Sequence, residues 1–336
     1  MLARNWKTFA IAGLVVLGVL LPVLIQNPYF LSVIMISYTW AIAVYGMNVL
    51  LGYTGQLSLA QAGFFGIGAY TVGVLTVTYE MSFWISLVAA VVLSSAVGFV
   101  VGLFALRTRN EYFAIFTLGV GIVIFLVIEK WESVTGGRLG LIGVPYPEPL
   151  TELSHLYYLI FAFLLLTIYV VASISRSLVG RGFVAIRNSE DLARATGINV
   201  GTNKQLAFVI STGLAGLAGA LYAPNIGFLG PAIANVPITF NMLLYLLVGG
   251  LGSLSGPLVG ALLVATLQQF LQQFQEYQLV IFGPILVILI IFFPSGLAGL
   301  WHRIGNRLAS RRAGSHTEES EGEEEPTKMT PTKETR

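Results

Sequence analysis

The chain has 336 residues, 56% of them hydrophobic and 10% charged, with 18 Lys and Arg against 16 Asp and Glu. A soluble domain carries about 25% charged residues, so this composition excludes a soluble globular fold and points to an all-α polytopic membrane protein. The absence of cysteine excludes a disulfide framework, a thiol nucleophile and a Cys-ligated metal.

In chain order, residues 1–8 form a short N-terminus with Arg4 and Lys7. The apolar run Phe9 to Ile25 is longer than a signal-peptide core of about 7–15 residues. It ends in Gln26-Asn27-Pro28 without a small-residue cleavage site, so it reads as a retained first span. Thr8 to Tyr79 and Gln205 to Gln275 contain no charged residue and no histidine. A helical span takes about 20 residues, so each run holds about three. The pattern predicts about ten spans, at 9–25, 30–51, 57–77, 83–106, 112–129, 156–175, 206–223, 239–250, 257–273 and 279–297.

Basic residues in short loops set the orientation. Arg4 and Lys7, Arg107 and Arg109, the group Arg176 to Lys204, and Arg303 to Arg312 all fall on one side if both termini are cytoplasmic. The 130–155 loop, with Glu132, Glu148 and Glu152, then lies outside. Residues 9–300 form the membrane-spanning body, and 301–336 a cytoplasmic tail. From about 313 that tail is acidic and, with Met329 as its one apolar side chain, is expected to stay disordered. It reads as a solvated tail or as an acidic binding element.

One stretch interrupts the apolar pattern. Gly52 and Gly55 sit between spans, and Asn48, Thr54, Gln56, Ser58 and Gln61 place uncharged polar groups beside them. The pattern Gly52-x-x-Gly55-x-Leu57-Ser58 returns as Gly249-x-x-Gly252-x-Leu254-Ser255, at an offset that also carries Lys7 onto Lys204. Paired Gly-interrupted segments point to a transport site, and under this orientation both face the same way. Unwound backbone in a membrane must lie against protein or a water-filled cavity. A helix restarting near Leu57 would put Ser58, Gln61 and Phe65 on one face, with free N–H groups at its start. Asn48, Thr54, Gln56, Ser58, Gln61, Phe65, Ser253 and Ser255 are therefore candidate pathway residues. Interhelical glue is an equal alternative for each.

The spans hold no ionisable residue at depth, which argues against a proton relay and favours an uncharged or zwitterionic solute. His155, His302 and His316 all lie outside the spans. The sequence lacks a G-x-x-x-x-G-K-[ST] phosphate loop, so ATP hydrolysis is not expected on this chain. No cofactor or metal is expected either, and energy would enter through a partner.

Residues 176–205 are where such a partner would dock. A short amphipathic helix is expected there. Phe183, Ile186 and Arg187 come first, then Ser189 as N-cap, Glu190 and Asp191 in the first turn, Leu192 and Ala193 beyond them, and Gly197 as the closing residue.

The stretches "GYTGQLSLAQAGFFGIGAY", "AIRNSEDLARATGINV" and "GGLGSLSGPLVGA" together resemble the LivM-type permeases of branched-chain amino acid ABC transporters, over roughly residues 30–300. The cytoplasmic block is similar to the EAA loop of ABC importers, with Asp191, Leu192, Ala193 and Gly197 at the patterned positions and Asp for Glu and Leu for Ala. The resemblance implies a type II ABC importer fold and a half-pore paired with a LivH-like permease. It also implies two ATP-binding subunits that carry the ATP and Mg, an extracytoplasmic substrate-binding protein, a cell-membrane location and no nucleic acid. It implies import by alternating access. Urea and short-amide permeases share these motifs. A passive channel for a neutral solute is the alternative from another class, and it leaves 176–205 without a role.

Overall fold

The computed structural model describes residues 16, 18–25, 27–108, 110–149 and 152–271. The expected span 279–297, the beginning of 9–25, the end of 257–273 and the tail lie outside the described residues. Residues 18–24 are helical, and the Gly18 carbonyl accepts a hydrogen bond from Tyr157 Oη at 2.7 Å.

Helix α1, Pro28–Met47, opens with Pro in its first turn, and the Asn27 side chain accepts from the Tyr29 N–H. Proline suits that position because its missing N–H would have no helical partner there. The helix runs into a π-helical turn at Asn48–Tyr53. Helix α2, Gln61–Val77, follows, then α3, Phe83–Ala105, and α4, Asn110–Lys130. A one-turn α5, Glu132–Thr135, and a two-residue β1, Leu141–Ile142, lead to α6, Leu153–Arg176. Two short helices come next, α7, Leu178–Asn188, and α8, Glu190–Ala195. The long α9, Val200–Ile226, is followed by β2, Phe228–Leu229, then α10, Val236–Gly249, and α11, Gly256–Leu271.

Five of the described helical segments are long and apolar enough to cross a membrane: Pro28–Tyr53, Phe83–Ala105, Glu111–Lys130, Leu153–Arg176 and Val200–Ile226. Gln61–Val77, Val236–Gly249 and Gly256–Gln269 are shorter apolar helices. Helices α1 and α9 lie largely inside the body, while α3, α4 and α6 present apolar faces outward. A helix apolar on all sides belongs in such an interior.

Helices α2, α3 and α9 pack through small residues. A Cβ at Gly68 would collide with the Gly216 carbonyl, one at Gly219 with the Phe65 carbonyl, and one at Gly98 with Thr212 Oγ1. Backbones approach this closely only where side chains are minimal, the usual route to helix association in lipid. At the far end from α7, β1 and β2 pair antiparallel, Leu141 opposite Leu229 and Ile142 opposite Phe228. Tyr70 Oη donates to the Leu229 carbonyl at 2.8 Å and holds this ribbon against α2.

Two expectations need correction. Helix α2 begins at Gln61, not near Leu57. The Gly55 and Gln56 N–H groups still bond the Leu51 and Leu50 carbonyls, but the donors just before α2 go elsewhere. The Leu59 N–H goes to Thr117 Oγ1 at 3.0 Å and the Ala60 N–H to Ser58 Oγ, offering the backbone an alternative to helix. Ser58 is therefore not on one helical face with Gln61 and Phe65. The 176–205 segment holds two helices rather than one, divided at Ser189.

Candidate functional site: two glycine vertices and an arginine

The two glycine motifs, distant in sequence, meet in space. The first lies where α1 ends and the chain returns toward α2. The second joins α10 to α11. Asn48 binds them together: its Nδ2 donates to the Ser253 carbonyl at 2.9 Å, and its Oδ1 accepts from the Gly252 N–H at 2.8 Å. Tyr45 Oη adds a bond to the Leu254 carbonyl at 2.8 Å. Asn48 is fully buried, so each of these bonds satisfies a polar group that water would not reach.

Backbone conformation explains the shared glycine spacing. Gly55 has φ +75° and Gly252 φ +73°, a left-handed region that costs an L-residue roughly 1–2 kcal/mol. Each stands just beyond a helix end, the usual position for such a glycine. Gly52 and Gly249 serve close approach instead. A Cβ on Gly52 would strike Asn48 Oδ1 and the Gly252 nitrogen, and one on Gly249 would strike the Gly256 carbonyl.

Arg187 enters this cluster from α7. Its Nη1 donates to the Gly52 carbonyl at 2.6 Å. The last carbonyls of a helix lack intrahelical donors and carry partial negative charge, so a guanidinium there both satisfies an oxygen and suits the helix dipole. The glycines leave room for it: a Cβ on Gly252 would lie 2.8 Å from Arg187 Nη1, and one on Gly55 3.4 Å from its Cγ.

The other expected pathway residues divide. Gln61 is wholly committed to protein. Its Nε2 donates to the Ala43 and Ser211 carbonyls, and its Oε1 accepts from Ser211 Oγ at 3.2 Å. It ties three helices together. Thr54 Oγ1 bonds back to the Leu50 carbonyl. Ser58 Oγ accepts from the Ala60 N–H, and Ser253 Oγ donates to the Gly250 carbonyl while accepting from the Gly256 N–H. Ser255 is exposed. Gln56 differs from all of them: it is buried, yet its Oε1 has no hydrogen-bond partner.

Phe65 is fully buried and stacks on Trp40 with ring centroids 4.7 Å apart, while Tyr222 meets both rings. Tyr245 completes this aromatic group and hydrogen-bonds Gln268, which reaches Asn241 at 3.5 Å. Sequence reasoning missed Trp40, Tyr222, Asn241 and Gln268. The available signal was a tryptophan deep in a charge-free run, away from the interfaces where Trp concentrates.

In the 176–205 segment, Phe183, Ile186 and Ala193 point inward and are buried. They anchor α7 and α8 to the body. Leu192 is 66% exposed and Leu178 77% exposed, and Asp191 faces outward with them. Ser189 caps α8, accepting from the Leu192 N–H. Beyond Thr196, Gly197 has φ +85°, its N–H bonds the Arg194 carbonyl, and the Ile198 N–H bonds the Ala193 carbonyl. This is the paired closure of a Schellman motif. Lys204 of α9 is buried and paired with Glu190 of α8. Among the described residues, no group of three or more His, Asp or Glu is placed to hold a metal.

The family model for the branched-chain amino acid transport system permease component matches residues 29–290. The chain is 29% identical over 318 residues to the high-affinity branched-chain amino acid transport system permease protein LivM of Escherichia coli K12, covering 87% of this chain and 74% of that one. It is 30% identical over 279 residues to LivM of Salmonella typhimurium, covering 75% of this chain and 66% of that one. Against LivH of Escherichia coli K12 the identity is 24% over 289 residues, covering 78% and 91%. No solved structure matches the chain. The match over most of its length places the chain in the family of permease components of branched-chain amino acid transport systems.

Proposed function

We infer that this chain is a membrane permease subunit of an ATP-driven importer for branched-chain amino acids. The observation that carries this reading is the family match over residues 29–290, and the contact of Arg187 with the vertices agrees with it. An imported leucine, isoleucine or valine is a zwitterion with an apolar side chain. It needs no counter-charge at depth, in keeping with spans that hold none.

In this reading the chain crosses the membrane about ten times with both ends inside. Residues 9–300 form the permease body and 301–336 the cytoplasmic tail. The protein lies in the inner or plasma membrane. Helices α7 and α8 face the cytoplasm, and Leu178, Asp191 and Leu192 offer the surface for one of two ATP-binding subunits, which bind ATP and Mg. A LivH-like permease supplies the other half of the pathway. An extracytoplasmic binding protein delivers substrate to the end that carries β1 and β2. Gln56, with its unpartnered buried oxygen, is the side chain of the first vertex best placed to accept a hydrogen bond from a passing ammonium group.

The test is radiolabelled leucine uptake in cells with and without the chain, competed by valine and by urea and repeated after ATP depletion. Loss of an ATP-dependent, valine-competed signal on deletion is the expected result. Unchanged leucine uptake overturns the reading, and urea-competed flux or flux without ATP redirects it to an amide permease or a passive channel.

A further inference from the structure

We propose that Arg187 is a positioning residue that transmits movement from α7 to the two glycine vertices, so that the helical hairpins α1–α2 and α10–α11 respond together to the ATP-binding subunit. The proposal rests on the permease reading above and deepens it.

Three observations support it. Arg187 shares α7 with Phe183 and Ile186, whose burial fixes the helix to the body. Arg187 is itself exposed on α7, as Leu178 is, and its Nη1 donates to the Gly52 carbonyl at 2.6 Å. It therefore joins the exposed side of α7 to the first vertex, with Gly252 of the second vertex beside its Nη1. Second, Gly52, Gly55 and Gly252 all approach Arg187, and a Cβ at Gly252 would fall 2.8 Å from Nη1. Of the three, Gly252 is the position where a side chain would crowd the guanidinium. Third, the carbonyl that Arg187 holds belongs to a π-helical turn, a register that interrupts ordinary helix geometry and recurs at functional sites. Asn48, in the same turn, holds Gly252 and Ser253. A pull on Gly52 is therefore shared with the second vertex through one side chain. This contiguous chain of hydrogen bonds has the form that coupling between distant sites requires.

The test uses the complete transporter with its ATP-binding subunits. The chain has no cysteine, so Phe30→Cys of α1 and Phe240→Cys of α10 can each be paired with Val88→Cys of α3, all exposed, to carry spin labels that read each hairpin against a third helix. Distances are measured with and without a non-hydrolysable ATP analogue, alongside ATP hydrolysis and leucine uptake. In the otherwise unaltered protein the nucleotide shifts both distances. Arg187→Leu abolishes the shift while hydrolysis stays within about twofold, and Arg187→Lys, with charge kept and reach shortened, shows a shift reduced at least about twofold. A shift in Arg187→Leu equal to the unaltered protein's overturns the proposal. So does an unaltered protein that does not move, or a parallel loss of hydrolysis, which would place Arg187 in docking instead. If Arg187→Leu does not assemble, Arg187→Lys decides alone, an undiminished shift overturning the proposal. The label shift is independent of substrate, so a failure of leucine uptake with an intact shift refutes only the substrate assignment.

Discussion

The first vertex, residues 48–60, and the second, residues 249–256, share a glycine pattern but turn the chain differently. Both place a left-handed glycine just beyond a helix, Gly55 and Gly252. The second then restarts at once, with Gly256 opening α11 against Gly249. The first runs non-helical through residues 55–60 before α2 begins at Gln61. The difference comes from the surroundings of each. At the second vertex, Gly249, Gly256 and Gly260 let two antiparallel helices touch backbone to backbone. At the first, Thr117 and Ser58 take up the N–H groups that a helix would use. A recurring sequence pattern here specifies a recurring helix end, and the environment decides where the next helix begins.

Substitutions break or sharpen this contrast. The largest effect is expected from Gly249→Leu, which forces a side chain into the Gly256 carbonyl. Overpacking of this kind costs about 3 kcal/mol, and the protein should not be recovered as a monodisperse species by size-exclusion chromatography in detergent. Next is Asn48→Leu, which leaves the Gly252 N–H and Ser253 carbonyl without their partner. Each stranded group costs about 1–3 kcal/mol, so thermal unfolding in detergent should begin several degrees lower. Gly252→Ala and Gly55→Ala separate the vertices directly. Both carry the left-handed cost of about 1–2 kcal/mol, but only Gly252→Ala also crowds Arg187 Nη1. Its melting temperature and uptake should both fall further than those of Gly55→Ala. Equal losses would show that Arg187 is not held at the second vertex. The smallest stability effect is expected from Gln56→Leu, since its Oε1 bonds nothing. Its melting temperature should match the parent's or exceed it, whereas the KM for leucine should rise if that oxygen meets substrate.

Much of the helical body was legible because lipid leaves few options. Charge-free runs of span length bounded by Arg, Lys, Pro and Gly located α3, α4 and α6 to within a few residues, whereas α9 starts earlier than its run, at Val200, and carries Lys204 inside the helix. Ser189 and Gly197 marked the ends of α8 because capping is local chemistry. The start of α2 was not legible, because the donor groups that unwind residues 55–60 answer to Thr117, far along the chain. Gln61 shows the same limit. Its type fitted ligand contact and interhelical glue alike, and only the fold, which brings Ala43 and Ser211 of two other helices to it, decides for glue. The sequence placed Arg187 on the docking helix, yet its inward reach to Gly52 depends on a fold that brings α7 under the first vertex.

The small-residue contact among α2, α3 and α9 has a mechanical consequence. With a Cβ excluded at Gly68, Gly98 and Gly219, these helices touch closely at three points, and sliding one past another would break those contacts. Helix α9 spans 27 residues, about 40 Å at 1.5 Å per residue. Near one end Lys204 is fastened to Glu190 of α8, and at the other the chain enters the ribbon through Gly227 and Leu229. One rigid rod therefore runs from the Lys204–Glu190 pair to the ribbon, and over its length a tilt of about 3° corresponds to about 2 Å at the far end.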